Sequence, residues 1–159
     1  MKKIKISLWA GFLFGAMNSM AQACPDPAIT SLQIKQADMQ TDGSWKLEVT
    51  GTVRNQGNAD FVSTPDQQSI SLSINRYGPR GVVTSTVLKE KLPVRNGQSY
   101  LPAGSVHIVN YRGTLNALKG ENARPRLKLA IIYDPAIYND DSSLNDDCHS
   151  DNNENMVTL

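Results

Sequence analysis

Hydrophobic residues alternate with polar ones along most of the chain beyond residue 23. The alternation is clearest in residues 45–54, where Trp45, Leu47 and Val49 are separated by charged or hydroxyl side chains, and it recurs in residues 70–75. A period of two is typical of a β-strand with one buried face, and no long stretch repeats at the spacing of an amphipathic helix. The pattern therefore predicts a chain built from strands.

About seven strands are predicted, separated by turns rich in Gly, Pro, Asn and Asp, such as Asn96-Gly97. They fall at residues 29–34, 45–54, 70–75, 82–92, 106–111, 127–133 and 156–159. Their spacing is typical of an antiparallel sandwich rather than of a parallel α/β sheet. The predicted fold class is all-β, an immunoglobulin-like Greek-key β-sandwich formed by a single domain.

The first 23 residues have the parts of a cleavable secretory signal. Three lysines precede an apolar run at residues 6–17, and Ala-Gln-Ala at residues 21–23 forms a small-x-small cleavage site. The apolar run has about 12 residues, whereas a membrane span needs about 20, and no other stretch is apolar enough. We therefore predict a signal peptide at 1–23, a mature domain at 24–159 without a transmembrane segment, and export to the periplasm or the extracellular medium. A buried N-terminal helix is the less favoured interpretation.

The predicted signal contains three of the 16 basic residues, which leaves 13 against 15 acidic residues and a formal net charge of −2. This near-neutral charge does not indicate the basic surface that is typical of nucleic-acid-binding proteins. Residues 139–155 are the exception, because they contain carboxylates and no lysine or arginine. Carboxylates are the ligands that calcium prefers, although the spacing is not that of an EF-hand loop. Two interpretations of this segment stay open, a calcium site and a solvated loop. The carboxylates of the predicted calcium site are Asp140, Asp141, Asp146, Asp147, Asp151 and Glu154.

Two cysteines, Cys24 and Cys148, lie close to the two ends of the predicted mature chain. An oxidising compartment favours a disulfide between them. A catalytic thiol is the alternative, but it needs a positioned base, and sequence adjacency of His149 to Cys148 does not supply one. Acylation of Cys24, as in a bacterial lipoprotein, is a second alternative. It is disfavoured because Ala21 stands where such proteins usually have an aliphatic residue.

Residues 51–59, Gly-Thr-Val-Arg-Asn-Gln-Gly-Asn-Ala, resemble the strand-and-turn signature of the CARDB family, the cell adhesion related domain found in bacteria. Further similar pieces follow in family order: Pro-Ala-Ile at 27–29, Leu-Pro-Ala-Gly-Ser at 101–105, a late strand at 129–134 and an Asn-rich turn at 151–155. The resemblance covers most of residues 26–159. It implies an immunoglobulin-like fold and a surface location more strongly than it implies a ligand.

The sequence contains no recognisable catalytic motif, such as a G-x-S-x-G elbow or an H-E-x-x-H pair. We predict a non-enzymatic, exported binding or structural module that contacts a protein partner or a cell-envelope surface. A calcium-dependent carbohydrate-binding domain is the alternative, with calcium as its cofactor. Zinc binding through His149 is disfavoured, because a disulfide would remove the sulfur ligands. Its aromatic candidates are Trp45, Tyr77, Tyr100 and Tyr111. A hydrolase would need His107 or His149 in a cleft within reach of a Ser or Asp.

Overall fold

The computed structural model describes residues 23–121, 123–134 and 137–159. In these residues the secondary structure consists of ten β-strands and two short 3-10 helices, Ile137–Asn139 and Ser150–Asn152. The strands are β1 (Pro27–Met39), β2 (Trp45–Asn55), β3 (Phe61–Ser63), β4 (Gln68–Gly78), β5 (Gly81–Glu90), β6 (Val94–Arg95), β7 (Gln98–Leu101), β8 (Val106–Leu115), β9 (Ala123–Tyr133) and β10 (Glu154–Thr158). Except for its last residue, the predicted signal peptide lies outside the described residues.

All strand pairs are antiparallel and form three sheets. One sheet has the order β1-β2-β8, the second has the order β10-β9-β4-β5, and a small third sheet has the order β3-β7-β6. The two larger sheets share one hydrophobic core, so the described residues form a single sandwich-like domain. The prediction of an all-β sandwich is confirmed.

Seven of these strands, those of the two larger sheets, overlap the seven predicted from alternation, although several are longer than predicted and β5 ends before the predicted residue 92. The strands of the third sheet, β3, β6 and β7, have only two to four residues each, too few to show a period. The β6–β7 hairpin turns at Asn96 and Gly97, which both have positive φ, 53° and 79°. This is the geometry that a two-residue hairpin needs, and it explains the Asn-Gly turn predicted there.

The core is formed by the apolar residues of alternating positions on both larger sheets. Its fully buried members include Leu47, Val53, Ile70, Leu72, Ile74, Leu127 and Leu129. Each such side chain stabilises the fold by about 1.5 to 3 kcal/mol through removal from water. The residues between them point to the opposite face of their sheet, so β4 has isoleucine and leucine inside and serines outside.

Candidate functional site

The ends of the described chain are joined by a disulfide between Cys24 and Cys148, whose α-carbons are 6.1 Å apart. This distance lies within the range that a disulfide requires. The backbone adds to the link, because the Cys148 amide donates to the Pro25 carbonyl at 3.1 Å. The predicted pairing is therefore present. Both sulfur atoms are bonded to each other, which leaves neither cysteine as a free thiol for catalysis.

Asn55, at the end of β2, holds the strand ends around this disulfide in place. Its side chain is fully buried and accepts from the amides of Asp26 at 3.0 Å and Gly57 at 3.1 Å. It also donates to the carbonyls of Ala59 at 2.8 Å and Leu101 at 2.9 Å. All four hydrogen-bonding positions of the amide are used. Asn55, which begins the turn of the signature, thus connects β2 and the turn after it to β7 and to the N-terminal segment.

Gly57 is required for a different reason, which is the close approach of two backbone segments. A Cβ at this position would overlap the Cys24 carbonyl and would lie 2.7 Å from the Asp26 amide nitrogen. Atoms of the backbone cannot move aside as the end of a flexible side chain can. The Asn-Gln-Gly turn therefore allows the segment bearing Cys24 to lie against the end of β2.

Asp147 is the most deeply buried carboxylate of the acidic segment, with 5% of its surface exposed. Its oxygens accept from the Tyr133 hydroxyl at 3.0 Å, the Asn153 amide group at 2.7 Å and the His149 backbone amide at 3.0 Å. Burial raises the pKa of Asp147, and burial likewise raises the pKa of Tyr133, which keeps that phenol a donor. Asp147 therefore anchors the segment before β10 to β9.

Asp140 forms a second anchor, on the other side of the segment. It accepts hydrogen bonds from the side-chain amides of Asn145, at 2.7 Å, and Gln67, and from the Ser142 backbone amide at 3.0 Å. The bonds from Asn145 and then Gln67 lower the pKa of Asp140. Since its oxygens already accept three donors, this carboxylate also works as a structural acceptor.

The remaining carboxylates of the predicted calcium site do not form a cluster with Asp140 and Asp147. Glu154 forms an ion pair with Lys128 across β10 and β9, whereas Asp141 and Asp151 are exposed and Asp146 is half-buried. Within the described ranges, no three side chains of His, Cys, Asp or Glu are grouped so that they could hold a metal ion. The segment is arranged around separate hydrogen-bond networks rather than around one cluster of carboxylates.

Each histidine contacts a carboxylate. His149 Nδ1 lies 3.1 Å from Oδ2 of the buried Asp26, which also accepts from Asn152 at 2.8 Å. His107 Nε2 lies 2.8 Å from Oε1 of Glu90 and links the edges of β8 and β5. A histidine within reach of an aspartate was one requirement of the hydrolase hypothesis. In the described part of the chain, no Ser or Cys side chain is hydrogen-bonded to either imidazole.

The four aromatic residues considered for sugar stacking are all partly buried, and they do not share one surface. Trp45 and Tyr111 pack against the hydrophobic core. Tyr77 has the Arg126 guanidinium 5.8 Å from its ring centre, and Tyr100 donates to Asp60 at 2.6 Å. Their positions weaken the aromatic platform that the carbohydrate-binding alternative requires.

The outer face of the four-stranded sheet is lined by hydroxyl and amide side chains, and we call it the hydroxyl face. It consists of Ser71, Ser73 and Asn75 on β4, Thr84 and Thr86 on β5, and Lys128 with Glu154 on β9 and β10. Together with Ala130, Ile131, Ile132 and Tyr133 of β9, these residues border a shallow cleft of about 650 Å³. The alternating serines of β4 were visible in the sequence, but the face was missed because it depends on which strands lie beside β4.

No helix among the described residues is long and apolar enough to cross a bilayer. No protein-family model and no curated protein matches the chain. Solved structures with some similarity include a Bacteroides uniformis β-glucuronidase, at 15% identity and a TM-score of 0.37, over 68% of this chain and 11% of that one. A penta-heme cytochrome c552 from Thermochromatium tepidum has 11% identity and a TM-score of 0.35, over 83% of this chain and 40% of that one. Both TM-scores lie below 0.5, so no functional conclusion follows from them.

Proposed function

We propose that the protein is exported and acts as a non-enzymatic binding module of the cell envelope, which contacts a protein partner through the hydroxyl face. The observation that carries the proposal is the cleft of about 650 Å³ on this face, where seven polar side chains from four strands lie beside Ala130, Ile131, Ile132 and Tyr133 of β9. Non-obligate protein interfaces are about as polar as the rest of a protein surface. A broad, shallow face that combines polar side chains with exposed apolar ones such as Ile132 suits a protein surface better than a small ligand.

The immunoglobulin-like Greek key is part of this proposal. In immunoglobulin lettering, the seven longer strands β1, β2, β4, β5, β8, β9 and β10 are strands A, B, C, C′, E, F and G. They form the sheets A-B-E and G-F-C-C′. Immunoglobulin-like sandwiches divide their strands between two sheets in a closely similar way, with C, F and G together. The CARDB relationship is supported by Asn55 and Gly57, because both signature residues are needed where strand ends meet.

Export is supported by the disulfide, since such bonds persist mainly outside the reducing cytoplasm. The bond also bears on the lipoprotein alternative. Acylation would consume the sulfur of Cys24, the same atom that bonds to Cys148. A protein with this disulfide therefore carries no lipid at Cys24, and we propose ordinary cleavage after Ala23.

The proposed binding face can be tested by site-specific photo-crosslinking in cells. A photoreactive amino acid at Ser73 or Lys128 lies on inner strands of the hydroxyl face, whereas one at Asn110 lies on the exposed face of the other large sheet. We expect a discrete heterologous adduct from Ser73 and Lys128 and none from Asn110, with the partner identified by mass spectrometry. Equal adducts from all three positions, or adducts from Asn110 alone, would contradict the proposal.

The calcium-dependent alternative makes a separate prediction, because a cation that binds only the native state raises the melting temperature with its concentration. Asp147 and Asp140 already accept hydrogen bonds from protein groups. We therefore expect no change in melting temperature between a chelator and millimolar calcium. A concentration-dependent rise in the wild type that is lost in Asp146→Asn would favour the calcium site instead.

A further inference from the structure

Strand β5 (Gly81–Glu90) forms one edge of the four-stranded sheet. It pairs with β4 on one side, and no strand of the described chain is hydrogen-bonded to its other side. Its first six residues are all exposed, including Val82 at 58% and Val83 at 48%. An exposed edge of this kind presents unpaired backbone donors and acceptors, which can pair with a strand of another chain.

The other edge strands of the two larger sheets have protective features along their length, whereas the first part of β5, residues 81–86, has none. Strand β1 has two register shifts and the charged residues Lys35 and Asp38, β8 includes Arg112, and β10 is only five residues long. By contrast, residues 81–88 contain no proline and no charged side chain. Charges, bulges and short length are the devices that keep edge strands from pairing. This segment lacks them except for one register shift near its end, between Thr86 and Leu88.

The sequence of this edge is nearly symmetric about Ser85. Residues 82–88 read Val-Val-Thr-Ser-Thr-Val-Leu. If two copies align antiparallel with Ser85 opposite Ser85, each Thr84 faces a Thr86. Each Val83 faces Val87, the residue at the register shift, which packs partly against the core. Opposed threonines and β-branched residues are stabilising cross-strand pairs. The segment is therefore complementary to itself.

The same alignment opposes no like charges within the segment. The exposed Arg80 of each copy lies toward the end of the other copy's β5, where Glu90 contacts His107 of its own chain. A two-fold axis through Ser85 repeats this pairing, as an isologous interface requires. The near-symmetry of the segment and the absence of opposed like charges thus point to a second copy of this chain rather than to an unrelated strand.

We propose that two copies of the protein associate by antiparallel pairing of their β5 strands, which joins the two four-stranded sheets into one continuous sheet of eight strands. Thr84 and Thr86 then bring the hydroxyl faces of the two copies side by side. The interface is short, so the dimer is in rapid exchange with the monomer. The association does not depend on the proposed envelope partner, and either can fail without the other.

Sedimentation velocity of the oxidised mature chain over a wide concentration range tests the dimer. We expect the mean mass to rise with concentration toward twice that of the monomer. Ser85→Lys places two like charges opposite each other at the two-fold axis and should weaken the dimer by about tenfold or more. Thr114→Lys adds the same charge at an exposed position of β8 and should dimerise as the wild type does. A wild type that stays monomeric at millimolar concentration, or equal dimerisation of both variants, would overturn the proposal.

A second variant keeps the test decisive if Ser85→Lys fails to fold. Ser85→Cys places one thiol from each copy at the two-fold axis, and mild oxidation should then link two copies covalently while the native disulfide stays intact. Thr114→Cys is the matched control. Covalent dimers from Ser85→Cys alone would support the antiparallel alignment, whereas equal yields from both variants would rule it out.

Discussion

The side chain of Asn55 is fully buried and makes four hydrogen bonds to backbone groups of the N-terminal segment, the turn after β2 and strand β7. Replacing it with aspartate removes two donors and leaves the carbonyls of Ala59 and Leu101 facing a carboxylate. Unsatisfied buried polar groups cost about 1 to 3 kcal/mol each. We predict that Asn55→Asp lowers the free energy of unfolding by about 3 kcal/mol or more, measured by urea denaturation with the disulfide intact.

Asn110→Asp is the control for this substitution, because Asn110 is exposed on β8. The same chemical change there should alter stability by less than about 0.5 kcal/mol. If both variants lost the same stability, the buried hydrogen bonds of Asn55 could not be the cause.

The contributions of Asp147 and Asp140 to the stability of the fold should change with pH in opposite directions. The pKa of Asp147 is raised above its ordinary value of 3.8, so its stabilisation is complete below that value and is lost as pH rises through the folded-state pKa. The pKa of Asp140 is lowered from 3.8, so its stabilisation is present above that value and is lost as pH falls through the folded-state pKa. We predict that, as pH increases, the stability of Asp147→Asn relative to wild type rises above about pH 3.8, while that of Asp140→Asn falls at and below about pH 3.8.

Denaturant unfolding at closely spaced pH values measures both slopes, and each variant serves as the control for the other. Slopes of the same sign would show that the two carboxylates do not occupy the opposite environments described above. Such a result would also favour the hypothesis that the acidic residues form one shared site.

At the scale of elements, the loop that connects β8 and β9 is fixed to β4 by a buried ion pair. Arg76 donates to Glu121 through Nε at 3.0 Å and Nη2 at 2.9 Å, and it also donates to the Asn116 carbonyl. The Arg76 side chain is 8% exposed and that of Glu121 17%. Removing one partner of a buried pair leaves the other charge uncompensated.

We therefore predict that Glu121→Ala lowers the free energy of unfolding by about 3 to 5 kcal/mol. Glu48→Ala is the matched control, because Glu48 pairs with Arg112, whose side chain is 79% exposed, and surface pairs contribute about 0 to 1 kcal/mol. Thermal unfolding followed by circular dichroism compares the two. A smaller loss in Glu121→Ala than in Glu48→Ala would contradict the role of the ion pair in holding the loop.

At the scale of the whole molecule, the disulfide closes a loop between residues 124 positions apart. The chain-entropy estimate for such a loop is about 5 kcal/mol, which is an upper value. We predict that the double variant Cys24→Ser, Cys148→Ser is less stable than the oxidised wild type by about 2 to 5 kcal/mol. The matched comparison is wild type measured with and without reductant. Reduction should lower the free energy of unfolding by a similar amount.

Intact mass spectrometry of the exported protein provides an independent check of the same bond. The expected mass is that of residues 24–159 less two hydrogen atoms. An added diacylglycerol mass, or two thiols that react with an alkylating reagent before reduction, would show that Cys24 and Cys148 are not paired in the cell.

The sequence by itself was enough for the seven longer strands, the sandwich class, the disulfide pair and the structural role of the Asn55 turn. Alternation such as Ile70, Leu72, Ile74 is a local property, because successive side chains of any strand point to opposite faces. With only two cysteines in the chain, their pairing also needed no tertiary information. These features follow from the pattern of residues close in sequence or from the number of cysteines.

The tertiary structure alone decided the third sheet, the dispersal of the acidic segment and the hydroxyl face. Strands of two to four residues are too short for a pattern and are defined by their partners. Asp140 and Asp147 are adjacent to other carboxylates in sequence, yet each is held by distant groups, Gln67 and Tyr133 among them. The hydroxyl face and the free edge of β5 depend on which strand lies beside which. Long-range contacts set these features, and they are not encoded in the local period of the sequence.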